Sequence, residues 1–420
     1  MTVKVYPFKA EGAVSAPPSK SFAHRFLIAA ALKKGHTVIK NIGSSADVMR
    51  TCDCLTALGA KITLENGNAV VNGIEKNFSE EVVVLNAGES GSTLRFLMPI
   101  VAALGVKAKF VCEKSLLSRP MDELIAVLGE HGAKTEKLAD GYSVSGKIRS
   151  GEYVLSGGVS SQYASGLAFA LPLLPCESSI AFTDELVSKS YFDMTCSVLS
   201  LAGIEYKKEG YKSIIGGKYD YNLPDETVCD GDFSAMAYLL CLGAICGDVT
   251  VTGVKKDGQG DGKITGILKN IGAEVITGEN CVRVKKRKIN PAEIDCSSVP
   301  DLVPALCAVF CHADGKSVLK GVSRLKYKES DRVKACVEMC GKLGVAAKLS
   351  GDNLIISGGN PKGGAELNGY GDHRMVMAGV IAAAGLKEAC RITDAEKVDK
   401  SYPDFFGAIN SLGGKIDVSV

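Results

Sequence analysis

Six short stretches carry charged and hydroxyl side chains into the start of apolar runs. "PPSKSFAHR" holds Lys20, Ser21 and Arg25, and "GESGSTLR" opens with Glu89, turns at Gly91 and ends in Arg95. "LSRPMDEL" sets Arg119 before Pro120, and "GGVSSQYASGL" offers Ser160, Ser161 and Gln162. "RLKYKESDRV" supplies Lys328, Glu329, Asp331 and Arg332, and "GYGDHRMVMAGV" supplies Asp372, His373 and Arg374. A Gly-Ser turn at a helix start points backbone N–H groups outward, where an anion is welcome. Arginine's fork matches phosphate and carboxylate, while serine and glutamine orient hydroxyls or a phosphate. Each stretch alone reads as an ordinary solvated or capping charge. As a set they do not, because burying so many cations without anions is prohibitive. The chemistry they predict is the holding of a small substrate pair with several negative charges.

Those stretches need a scaffold that repeats, and one phrase does. "CLTALGAKIT", "VLGEHGAKTE", "VLSLAGIEYK", "ILKNIGAEVI", "MCGKLGVAAK" and "AINSLGGKID" each read as a helix end, a left-handed glycine cap and a strand start. Their glycines, Gly59, Gly132, Gly203, Gly272, Gly344 and Gly413, are separated by 73, 71, 69, 72 and 69 residues. So long a period predicts duplicated units of about two helices and several strands, too small to bury a core alone. Within a unit the order reads strand, helix, strand, helix, strand, with Asp47 at the start of the first unit's second helix. Six units divide as three plus three, with a break in "LPDETVCDGDFSAMAYLLCLGA" before a new helix at about Phe233.

Composition excludes several classes. The 420 residues are 46% hydrophobic and 23% charged, as in globular proteins, and a net charge of +2 gives no basic field for nucleic acid or a membrane surface. No apolar run reaches the roughly 18 residues of a spanning helix, and "MTVKVYPFKAEGAV" lacks a signal-peptide core, which predicts a cytoplasmic protein. In "DGQGDGKI" Asp257 stands where a phosphate loop needs its first glycine, and Ile264 where it needs Ser or Thr. No Gly-x-Gly-x-x-Gly follows a predicted strand. The histidines are scattered, and the fifteen cysteines, Cys52/Cys54, Cys307/Cys311 and Cys336/Cys340 among them, lack Cys-x-x-Cys spacing. They read as reduced core thiols, so no metal site is expected.

Taken together, "PSKSFAHR", "SGSTLRF", "SRPMDEL", "VSSQYASGL", "VSKSYFDMT", "VPDLVPAL", "KYKESDRV", "GDHRMVMA" and "DKSYPDFF" resemble the 3-phosphoshikimate 1-carboxyvinyltransferase (EPSP synthase) family of enolpyruvyl transferases, in order from about Val5 onward. The resemblance implies a two-domain inside-out α/β barrel of six βαβαββ repeats, three per domain, closing over the substrates. One domain would comprise residues 1–14 with 230–420, the other 15–229. It implies a monomer that transfers the enolpyruvyl group of phosphoenolpyruvate to the 5-hydroxyl of shikimate 3-phosphate and releases phosphate, in the shikimate pathway to chorismate and aromatic amino acids. The implied route is addition then elimination, without metal or cofactor. By motif position, Lys20, Ser21, Arg25, Ser160, Ser161, Gln162, Ser188, Asp301 and Lys328 would hold shikimate 3-phosphate. Lys20, Gly91, Arg119, Gln162, Arg332, Arg374 and Lys400 would hold phosphoenolpyruvate. Asp301 takes the place of the base on the 5-hydroxyl and Glu329 that of the proton donor to the methylene carbon, with Lys20 a third catalytic residue. Inhibition by glyphosate is implied too.

Asp301, amid Val299, Pro300, Leu302 and Pro304, is a carboxylate in apolar company, which raises its pKa unless the lysines offset it. Glu89 stands where many relatives have asparagine, and Arg324 where some place an asparagine on the shikimate phosphate. A UDP-N-acetylglucosamine enolpyruvyl transferase is the rival reading. It would start with Lys-Asn, where Ser21 follows Lys20, and would carry a loop cysteine shortly before Arg119, where Lys114, Ser115, Leu116, Leu117 and Ser118 stand and Cys112 lies too far upstream. An inert anion-binding repeat protein is the reading from another class, and intact Lys20, Asp301, Glu329 and Arg374 speak against it.

Overall fold

A computed structural model describes residues 1–75, 81–158, 160–255 and 258–419. Asp257, weighed above as part of a phosphate loop, lies outside them. Six four-stranded sheets carry one pattern throughout: first and second strands parallel, then the fourth and third antiparallel. In the unit that follows Asn72, Val83–Gly88 leads through the helix Gly91–Leu104 to the parallel strand Ala108–Cys112. A parallel pair requires such a crossover. The helix Asp122–Glu130 then returns the chain to the hairpin Ala133–Leu138 and Gly141–Gly146. The repeat is therefore βαβαββ, one strand longer than its periodicity suggests. The extra strand comes from a tight turn: in the first unit Asn66 and Gly67 take φ values of 50° and 75°, the pair a two-residue hairpin needs. All six repeat glycines sit at positive φ, from 71° to 110°, where other L-residues pay a steric penalty.

The chain forms two compact units, Pro18–Cys229 and Met1–Pro17 with Asp230–Val420. The first crossing lies beyond the expected Val14/Ser15 boundary because Ala10–Ser15 is one strand, paired along its length with Gly247–Thr252. Each unit is closed by a strand from a distant part of the sequence. Thr2–Tyr6 fills the last sheet between Cys390–Ile392 and Lys415–Ser419, and Glu226–Val228 pairs with His36–Lys40 in the first.

Within each unit the first helix of every repeat is inside and the sheets are outside. All fourteen residues of Phe233–Cys246 are buried, as are all of Val303–Cys311 and His373–Ala384. In the other unit Lys20–Leu32, Gly91–Leu104 and Ser161–Ala170 are nearly as enclosed. The second helix of each repeat is half-buried, with an apolar stripe such as Val333, Cys336, Met339 and Cys340 on Arg332–Lys342. Strands such as Gly247–Thr252 alternate buried and half-buried positions, one face on the helices. This is the inside-out α/β architecture expected from the resemblance. Among the described residues, no helix is long and apolar enough to cross a membrane.

Candidate functional site

Helix starts position the polar side chains. In the unit containing Asp230–Val420, Asp372 caps His373–Ala384 by accepting from the Arg374 N–H at 2.9 Å, and Asp331 caps Arg332–Lys342. Asp301 lies in the turn Pro300–Leu302 that leads into Val303–Cys311. The capping geometry aims Arg332 inward, where it is fully buried. It donates to Asp372 through Nε (2.7 Å) and Nη2 (3.2 Å), to Asp301 through Nη1 (2.7 Å) and to Glu329 through Nη2 (2.7 Å). Arg374 donates to the second Asp301 oxygen at 3.2 Å and to the Ser234 carbonyl at 3.1 Å, and Lys328 approaches Asp301 at 3.3 Å. Lys400 ends the turn Ala395–Lys400 and is 4% exposed.

Electrostatics in this cluster correct one expectation. Burial alone would raise the Asp301 carboxyl, but Arg374, Lys328 and Arg332 together hold it well below the usual carboxylate range. Two arginines, not the lysines alone, decide the sign. Nearby, the Asp261 carboxyl bonds the Ser234 hydroxyl, and burial and the charge of Asp301 push it up to about 6. The premise that these cations lack built-in anions also fails here, since three carboxylates surround Arg332.

The unit Pro18–Cys229 is different. Ser19 caps Lys20–Leu32, and Lys20 pairs with Asp47 at 2.8 Å. Asp47 is not the cap of its own helix; Ser45 holds that position, which frees the Asp47 carboxylate for the lysine. Arg25 is 2% exposed, and its three hydrogen bonds go to neutral oxygens: Thr195 Oγ1 (2.8 Å), Ser21 O (2.7 Å) and Tyr191 O (2.7 Å). Burial with so little compensation pulls the guanidinium down to about 10. Ser160 caps Ser161–Ala170, whose Gln162 accepts from Arg95 at 2.7 Å and donates to Ser92 at 3.0 Å. Gly91 faces the same group, within reach of Arg119, Arg95 and Gln162. Ser188, before Lys189–Leu201, takes φ 52°, a left-handed conformation uncommon for serine and of the kind that collects at functional sites. Glu89 accepts from the Ser115 hydroxyl at 3.2 Å. Arg324 donates to the Ser297 carbonyl at 2.8 Å.

With that geometry in hand, comparison with known proteins is decisive. The family model for EPSP synthase (3-phosphoshikimate 1-carboxyvinyltransferase) matches residues 6–409. The chain belongs to the EPSP synthase family. A 3-phosphoshikimate 1-carboxyvinyltransferase of Clostridium kluyveri is 39% identical over 99% of this chain and 98% of its own, and one of Clostridioides difficile is 36% identical over the same shares. Among solved structures, an EPSP synthase from Acinetobacter baumannii aligns over all of both chains with TM-score 0.85 and 23% identity. The enolpyruvyl transferase NikO from Streptomyces tendae aligns over 99% of this chain and 98% of its own, with TM-score 0.80 and 16% identity. These two show the shared fold.

For this member of the EPSP synthase family, the motif residues fall into two groups. Asp301, Lys328, Glu329, Arg332 and Arg374 are joined by direct contacts in one unit. Ser21 and Arg25 touch, Gly91, Arg119 and Gln162 adjoin, and Lys20 pairs with Asp47 in the other. The sequence reading left unassigned the residues that orient these: Asp47, Arg95, Asp261 and Asp372. Asp372 had a signal, an acid directly before an apolar helix, but its bidentate grip on Arg332 comes from another repeat.

Proposed function

We propose that the chain transfers the enolpyruvyl group of phosphoenolpyruvate to the 5-hydroxyl of shikimate 3-phosphate, with release of phosphate. The reading rests on family membership together with one observation: a carboxylate, Asp301, that accepts from Arg332 and Arg374 and lies 3.3 Å from Lys328. In this mechanism Asp301 accepts the 5-hydroxyl proton. Bound substrate anions offset the same cations, so the carboxylate becomes a stronger base when substrates are present. Phosphoenolpyruvate drawn to Arg332, Arg374, Arg119, Lys400 and the Gly91 turn competes with Glu329 for its arginine and frees it to carry the proton to the methylene carbon. The oxocarbenium-like centre so formed is attacked by the 5-oxygen, giving a tetrahedral ketal phosphate, and elimination of phosphate with return of a methyl proton to the Glu329 carboxylate gives the enol ether. Arg25, with Ser21, Ser160, Ser161, Gln162 and Ser188, holds shikimate 3-phosphate, a role that suits a buried cation bonded to neutral oxygens. Lys20 and Lys328 serve both substrates.

Phosphate release from the purified chain with both substrates, and with neither alone, is the expected result; release with UDP-N-acetylglucosamine instead would overturn the reading. Cys112 argues against that rival, since burial and Asp140 push its thiol up to about 12. The proposal includes a cytoplasmic monomer, tested by light scattering at one chain mass and by cell fractionation.

A further inference from the structure

Four cysteines meet where sequence spacing gave no hint of a site. Cys307 and Cys311 are one turn apart on Val303–Cys311, Cys336 and Cys340 one turn apart on Arg332–Lys342, and all four are buried. The Cys340 Sγ lies 3.3 Å from the Cys307 Sγ and 3.6 Å from the Cys311 Sγ. Among the described residues, Cys307, Cys311 and Cys340 are the one group of three or more candidate ligands whose donor atoms all lie within 4.8 Å of one another. Sulfurs bound to a single ion at about 2.3 Å stand roughly 3.8–4.0 Å apart, so shifts of a few tenths of an ångström would seat one. We propose that Cys307, Cys311 and Cys340 form a binding site for a soft monovalent cation of the copper(I) class.

Two arguments select that class. Thiolates prefer soft ions and discriminate against magnesium, calcium or manganese. Structural zinc takes four ligands, whereas three sulfurs converge here in a core out of reach of solvent water. Seating the ion releases the thiol protons. The position also has a consequence. Asp301 immediately precedes one of these helices and Arg332 begins the other, so an ion joining them ties together the two elements that carry the Asp301–Arg332 contact.

The test uses the full chain with Cys176→Ser and Cys281→Ser, which removes the exposed and half-buried thiols. The reduced protein is titrated anaerobically with copper(I) against a chromogenic copper(I) chelator. One equivalent is expected, with three sulfur neighbours at about 2.3 Å by X-ray absorption. Cys340→Ala is expected to weaken binding by at least about 100-fold, the upper range already seen for loss of outer-sphere partners alone. Cys336→Ala should leave affinity unchanged. If Cys340→Ala fails to fold by circular dichroism, Cys311→Ser carries the same expectation. Substoichiometric copper, or binding indifferent to these variants, overturns the site. Tight zinc binding lost equally in Cys336→Ala overturns the ion class.

Discussion

Gly91→Ala separates what this turn does for the fold from what it does for ligands. Gly91 starts the helix Gly91–Leu104, and its φ lies outside the left-handed region, so alanine fits the backbone. The new Cβ would stand 3.3 Å from Arg119 Nη1, 3.6 Å from Arg95 Nη1 and 3.6 Å from Gln162 Oε1. The first contact is tight and asks the guanidinium to move by a few tenths of an ångström. Because all three atoms end flexible side chains, stability should hold or rise; glycine in a helix interior costs roughly 0.5–1 kcal/mol relative to alanine. Arg119 has to yield in either ligand complex, a shared cost of about 1 kcal/mol, or roughly fivefold in the Michaelis constant for phosphoenolpyruvate. Glyphosate, a phosphonate-carboxylate with a longer backbone, meets the methyl group itself. Steric rejection on the order of 1–3 kcal/mol or above should raise its inhibition constant roughly 5–150-fold. Phosphate-release kinetics with varied phosphoenolpyruvate and glyphosate, beside thermal unfolding, supply both numbers. Equal weakening of the two ligands would refute the steric argument, and a large fall in melting temperature would refute the claim that only flexible side-chain ends are met.

Three further outcomes are expected. Asp301→Asn should keep the fold, because Arg332 retains Asp372 and Glu329, while turnover falls by about 10²–10⁴; near-normal turnover would remove Asp301 from the mechanism. Ser188→Gly should relieve left-handed strain of about 1 kcal/mol and yet raise the Michaelis constant for shikimate 3-phosphate; higher stability with unchanged kinetics would make Ser188 purely structural. His312 is held neutral by burial, its pKa lowered from 6.5 to about 4, with Nε2 3.1 Å from the Ala382 carbonyl. The unfolded chain takes the proton first, so this contribution is complete well above pH 6.5 and fades as pH falls toward 4, by about 3 kcal/mol in all. Urea unfolding of His312→Gln should lack that decline, and parallel curves for both proteins would contradict it.

The six glycines were legible because a left-handed cap is a local demand that only the backbone at that position must satisfy. Helix entries were legible for the same reason: the polar stretches lead into Lys20–Leu32, Gly91–Leu104, Ser161–Ala170 and His373–Ala384 as read. Pairings between repeats were not. Nothing near Arg332 announces Asp372, and nothing in "LCAVFC" announces Cys340, because each contact joins segments about thirty or more residues apart. The cations were read as awaiting foreign anions, which suits Arg25; Arg332 brings three carboxylates of its own.

The strand Thr2–Tyr6 sets a timetable for synthesis. It leaves the ribosome well before its neighbours Cys390–Ile392 and Lys415–Ser419 are made. At about 5–20 residues per second, roughly 20–80 s pass before its backbone donors and acceptors find their sheet. Over that interval Pro18–Cys229 can finish, since its closing strand Glu226–Val228 emerges at its own end. The nascent chain must meanwhile keep this five-residue strand unpaired. A premature stop after Ala389 would therefore strand Thr2–Tyr6 as well as delete Cys390–Ile392 and Lys415–Ser419.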